Sequence, residues 1–144
     1  MKRLLTTIAT AVSLSALMTS PMRAYAPKKP TLTLSSLTCL DTTEKSADRL
    51  ELRVYFPDRR ANFTAKAIMK KGQTWTLPSG KRPFDGAVRV ELWEIDPELF
   101  GKDDKLGSCV IKPNEGGAWQ VRFTAKRGSA RYFWGYILKY RVDL

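Results

Sequence analysis

The chain contains no histidine. That removes Ser-His-Asp and Cys-His nucleophilic catalysis, histidine general bases and histidine-based zinc sites. It has only two cysteines, Cys39 and Cys109, so a thiolate-rich metal cluster is excluded as well. No G-x-S-x-G, Walker, dinucleotide-binding or EF-hand pattern is present. No stretch has good helical periodicity, and there is no internal repeat or low-complexity tract. Carboxylates are scarce beside cations, 14 against 25, for a formal charge of +11 over 144 residues. Such a balance favours anionic partners, whether lipid head groups, an acidic protein or a polysaccharide; nucleic acid is not expected.

What is present begins with an export signal. Met1-Lys2-Arg3 precedes an apolar Ala/Leu/Thr/Ser run from Leu4 to about Met18, and Ser20-Pro21 and Ala24-Tyr25-Ala26 follow. These are the charged, hydrophobic and small-residue regions of a secretory signal over 1–26, with cleavage after Ala24 or Ala26. The apolar run is short for a membrane span; an uncleaved anchor is the other reading. The mature domain is then 27–144, about 118 residues with 22 basic and 14 acidic side chains, a charge of +8. That length supports one core. The expected location is secreted or periplasmic. In an oxidising compartment an isolated cysteine pair most often closes one disulfide. Here it would link Cys39 to Cys109 across about 70 residues, for roughly 3–4 kcal/mol. Two buried free thiols are the alternative.

Period-2 alternation dominates the mature chain. Strands are expected over Thr31–Leu40, Arg49–Phe56, Asn62–Lys71, Gln73–Leu77, from Ala87 into Glu94, and over Leu106–Ile111, Ala118–Ala125 and Arg131–Val142. Leu50, Leu52, Val54 and Phe56 alternate with Arg49, Glu51, Arg53 and Tyr55, which marks one dry face and one wet face. Ser35-Ser36 is expected to hold a bulge that resets the register, so that Leu37 and Cys39 face in after Leu32 and Leu34. Eight strands spaced by 8–15 residues argue for an all-β, eight-stranded antiparallel sandwich.

Two acidic loops stand out against this framework. One runs from Asp41 to Asp48. The other follows the strand that ends in Trp93-Glu94-Ile95-Asp96 and brings back Asp103 and Asp104. Carboxylates so close repel one another unless a positive charge sits among them. Solvated loops paired with Lys45, Arg49, Lys102 and Lys105 would satisfy this; so would a bound cation.

The order of these residues resembles the C2 domain, the eight-stranded calcium- and phospholipid-binding sandwich. The resemblance is carried by Asp41-x6-Asp48 ahead of a strand, by Trp93-Glu94-Ile95-Asp96-x7-Asp104-x2-Gly107, and by residues 53–77, RVYFPDRRANFTAKAIMKKGQTWTL. It spans Thr31 to Val142, with Glu94 where the family carries aspartate. With its first loop between strands one and two, the order would match the family's circularly permuted variant. The resemblance implies a non-enzymatic Ca²⁺-binding module in which Asp41, Asp48, Glu94, Asp96 and Asp104, with Asp103 as substitute, converge at one end. Ca²⁺ takes six to eight hard oxygens from flexible loops, which such a set could begin to supply. It further implies that the lysine-rich strand carrying Lys66, Lys70 and Lys71, with Arg59 and Arg60 nearby, meets anionic lipid. A lysine-protected, solvated edge strand accounts for the same residues. If both loops share one end, both cysteines should lie beneath them. The contrasting reading is a metal-independent exported inhibitor, immunity or adhesion-type sandwich. A carboxylate-only enzyme would need a cleft for which so small a domain offers little room.

Overall fold

The structure is a computed structural model, and it describes residues 27–42, 47–96, 103–126 and 133–144. The expected signal over 1–26 and the tips of both acidic loops lie outside those residues.

Among the described residues the chain forms nine strands and one 3-10 turn. They are β1 (Thr31–Asp41), β2 (Asp48–Tyr55), the turn Arg59–Ala61, β3 (Phe63–Met69), β4 (Thr74–Thr76), β5 (Arg82–Pro83), β6 (Val88–Glu94), β7 (Asp104–Ile111), β8 (Gly117–Lys126) and β9 (Phe133–Asp143). All pair antiparallel in two sheets. One has the order β4-β1-β9-β8, with β5 also on β1; the other has the order β3-β2-β6-β7. This is the antiparallel sandwich expected from the alternation. The addition is β5, two residues of the expected Pro78–Pro83 loop that pair with Thr31 and Leu32.

The core forms where the inward faces meet. From β1 come Leu32, Leu34, Leu37 and Cys39, and from β9 Tyr136, Leu138, Tyr140 and Val142. Opposite them lie Leu50, Leu52 and Val54 of β2 and Val88, Val90 and Leu92 of β6. Each fully buried aliphatic side chain stabilises by about 1.5–3 kcal/mol. The bulge expected at Ser35 is present: Leu34 pairs with Tyr140 and Ser36 with Lys139, so one residue is skipped and Leu37 turns inward. A second irregularity places Trp93 opposite Lys105 while Leu92 faces Gly107. The extra residue, Leu106, is buried. Gly107 carries no side chain because the Phe123 ring of β8 sits there; a Cβ would lie 2.6 Å from its Cδ1.

Candidate functional site

The strand order brings both acidic connections to one end of the sandwich. Asp41 ends β1, Asp48 opens β2 and Glu94 ends β6. Leu50 pairs with Glu94, and Glu94 with Asp104 at the start of β7. The Ile95 N–H donates to the Arg49 carbonyl at 2.8 Å, holding the exit of β6 against the entry of β2. The turn after β3 reaches the same end, where the Gly72 N–H donates to the Cys39 carbonyl at 2.8 Å with Gly72 at φ +80°.

The carboxylates themselves do not point at a common centre. Asp48 is fully buried and accepts a hydrogen bond from the Tyr136 hydroxyl. Glu94 is buried too. Their direction was written in the alternation: Asp48 is in phase with Leu50, Leu52 and Val54, and Glu94 with Val88, Val90 and Leu92. Asp41 lies 3.5 Å from Lys71 Nζ, and Asp103 lies 3.8 Å from an Arg53 terminal nitrogen. Asp96 is half-buried and Asp104 exposed. Among the described residues no group of three or more acidic or thiol side chains is arranged to hold a metal. Asp96 and Asp104 alone fall well short of the six to eight oxygens Ca²⁺ takes.

The expected disulfide is not formed, and both thiols are free. Cys39 pairs with Tyr136 on β9, whose hydroxyl meets Asp48 at the start of β2, whereas Cys109 pairs with Val90 of β6, itself opposite Val54 of β2. Asp48 and Val54 are six residues apart on one strand, about 20 Å at the usual rise. A disulfide needs Cα atoms within about 7 Å. The sequence-based expectation failed because β7 begins at Asp104 instead of Leu106, which carries Cys109 five residues down the strand from the loop. Burial pushes the Cys109 thiol up to about 11, and burial raises Cys39 as well.

The expected basic cluster is divided. Lys66 and Lys70 project outward from β3 and its end, and Lys71 turns to Asp41. Arg59 and Arg60 sit in the turn before β3, at the other end of that strand. Asp58 caps this turn, accepting from the Arg60 N–H at 3.0 Å.

What sequence reasoning missed is the outer face of the β3-β2-β6-β7 sheet. Register puts Lys66, Glu51, Trp93 and Lys105 in one cross-strand row, and Thr64, Arg53, Glu91 and Ser108 in the next. Glu51 accepts from Arg53 Nε at 2.5 Å and lies 3.0 Å from Lys66 Nζ. Glu91 accepts from Lys105 Nζ at 2.7 Å and from Trp93 Nε1 at 3.0 Å, and lies 3.4 Å from Arg89 Nε. The Arg53 guanidinium stacks 4.4 Å from the Trp93 ring centre, and Arg89 lies 4.7 Å from that of Tyr55. Burial pushes both glutamates up, but the hydrogen bonds and charges of their cations outweigh it and hold each below the usual carboxylate range. Ile68 and Val110 lie exposed on the same face, opposite Arg49 and Arg89 respectively. The alternation carried the signal: every outward position of β2 is charged or aromatic.

No known family profile matches the chain, and no curated protein does. Solved C2 domains are among the structures it resembles. A C2 domain of plant Extended Synaptotagmin 1 shares 9% identity at a TM-score of 0.44, over 81% of this chain and 94% of that one. Another, described as the structure of a C2 domain, shares 13% at 0.38 over 81% and 98%. A structure described as "CC2D1B coordinates ESRCT-III activity during the mitotic reformation of the nuclear envelope" shares 12% at 0.48. The alignment with it covers 81% of this chain and 55% of that one, so the chain spans about half its length.

Proposed function

We propose that this chain is an exported, non-enzymatic C2-like module that docks on an anionic membrane through the outer face of β3-β2-β6-β7. The observation that carries this reading is the composition of that face. Arg49, Arg53, Lys66, Lys70, Arg89 and Lys105 outnumber Glu51 and Glu91, and two exposed aliphatic side chains, Ile68 and Val110, share the surface. Each cation near an anionic bilayer contributes about 1 kcal/mol. The two aliphatics add apolar area that headgroup-level insertion would bury. The lattice holds Arg53, Trp93 and Lys105 in place before contact, so less side-chain entropy is lost on binding. The test is co-sedimentation of the mature protein with vesicles of phosphatidylserine and phosphatidylcholine against phosphatidylcholine alone. Binding should require the anionic lipid, fall with salt, and weaken at least tenfold in Lys66→Glu/Lys70→Glu and in Ile68→Asp. Equal binding to both vesicle types would refute the reading.

Calcium at the acidic end is the second reading, supported by the shared location of the two connections. Asp41, Asp96, Asp103 and Asp104 are the side chains available there; Asp48 and Glu94 are turned inward. Lys71 and Arg53 would have to release Asp41 and Asp103, so Lys71→Ala should strengthen calcium binding. Calorimetry of the mature protein with millimolar CaCl₂, in wild type and this variant, decides it: silence in both ends the calcium reading and leaves the docking face untouched.

A further inference from the structure

The outer face of the other sheet, β4-β1-β9-β8, has a different chemistry. Its cross-strand rows follow from register. Gln120, Lys139, Ser36 and Thr76 form one row, and Arg122, Ile137, Thr38 and Thr74 the next. Arg141 continues the line beyond Lys139, opposite Thr33. Arg122 of β8 is thus diagonal to Lys139, and Arg141 follows Lys139 along β9, each at about 7 Å. All three are exposed.

Two contrasts separate this face from the lattice on the opposite side. First, its cations lack interior carboxylates. Among the described residues the acids on this face stand at its ends, Asp41 beside Lys71 and Asp143 beside Arg141 and Lys81. No carboxylate among the described residues pairs with Arg122 or Lys139. Second, among the described residues the face is almost without exposed aliphatic surface. Ile137 and Leu40 are half-buried, while Ile68 and Val110 belong to the other sheet. In place of apolar area it offers hydroxyls, with Thr38 and Thr74 side chains 3.0 Å apart and Ser36 opposite Thr76.

Two cations without a carboxylate partner among the described residues, Arg122 and Lys139, with Arg141 facing only the terminal Asp143, stand beside rows of hydroxyls and fit a ligand that repeats carboxylates and hydroxyls along an extended chain. A bilayer would gain little from the described residues of this face, which offer little to insert. We propose that the outer face of β4-β1-β9-β8 binds a linear acidic polysaccharide, its carboxylates on Arg122, Lys139 and Arg141 and its hydroxyls on Ser36, Thr38, Thr74 and Thr76. The module would then carry two faces of distinct specificity.

The probe is polygalacturonate, a linear polyuronate, cast in native gels run toward the cathode, with neutral dextran as the reference matrix. Wild type should be retarded by polygalacturonate and not by dextran. Arg122→Ala/Lys139→Ala should weaken retention at least tenfold, and Lys66→Ala/Lys70→Ala should leave it within twofold. Thr38→Val/Thr74→Val, which changes no charge, should weaken it severalfold; melting curves confirm that each variant is folded. No retardation of wild type, or equal loss with the lysines of the opposite face, overturns the proposal. So does full retention in the threonine variant, which would mean attraction by charge alone. Vesicle binding by Arg122→Ala/Lys139→Ala should match wild type, so failure here is distinguishable from failure of the membrane reading.

Discussion

Tyr136 on β9 donates its hydroxyl to the carboxylate of Asp48 on β2, 88 residues earlier and in the opposite sheet. Tyr136 is fully buried, and so is Asp48. The bond ties the two sheets together at the end where a disulfide was expected. Both residues have further partners, and the Cys39 thiol interacts with Tyr136.

Tyr136→Phe should lower unfolding free energy by about 1.5–3 kcal/mol, the range for losing a hydrogen bond to a charged group. Asp48→Asn should cost less than Asp48→Ala, because the amide oxygen can still accept. Burial and then Asp48 raise the Tyr136 hydroxyl above its ordinary 10.0. A raised acid is neutral when folded and would ionise when unfolded, so stability should decline as pH rises past 10. Urea titrations at pH 7 and pH 10.5 check both statements; a Tyr136→Phe variant as stable as wild type would remove the bond's structural role.

Acid should act on the lattice. Glu51 and Glu91 are both lowered from an ordinary 4.5 when folded. A lowered carboxyl contributes stability that is present above the unfolded value and lost as pH falls through the folded one. Melting temperature should therefore hold from pH 7 to about 5 and drop below 4.5. In Glu51→Gln/Glu91→Gln the protein should be less stable at pH 7, and its melting curve should depend less on acid. An unchanged acid slope in that variant would show that other carboxylates dominate.

The thiols should be countable but slow. With Cys109 near 11, about one molecule in a thousand carries its thiolate at pH 8, and Cys39 is fully buried. Reaction with a disulfide reagent should be slow in native protein and reach two equivalents in guanidinium. Finding no free thiol in the denatured protein would restore the disulfide.

Gly107→Ala should cost about 1–3 kcal/mol by forcing Phe123 aside. Phe123→Leu, which vacates ring volume at that point, should recover part of the loss in the double variant. Additive losses would place the strain elsewhere.

Much of the fold was legible because alternation has a strict period. Leu50, Leu52 and Val54 point one way whatever lies opposite them, and the bulge at Ser35 follows from Leu32 and Leu34 falling out of phase with Leu37 and Cys39. The lattice was harder to read because its partners come from different strands: Glu51 and Lys66 meet only once β2 and β3 are in register. The direction of two acidic side chains was hard to read for a related reason. Counting carboxylates near a loop ignored the phase that turns Asp48 and Glu94 inward. The cysteines were misplaced by a boundary error of two residues at β7, enough to move a side chain about 7 Å along the strand.

The first and last strands lie side by side in the middle of one sheet, Thr31 opposite Asp143 and Cys39 opposite Tyr136. This ordering governs when the fold can close. The strands of the second sheet, β3-β2-β6-β7, are all present once Ile111 has been made, whereas the first sheet must wait for β9, which separates β1 from β8. A chain stopped before Phe133 would leave the inward face of β2 and β6 uncovered, a sticky half-sandwich. Synthesis from one end therefore completes the salt-bridged lattice before the layer that covers its inward face.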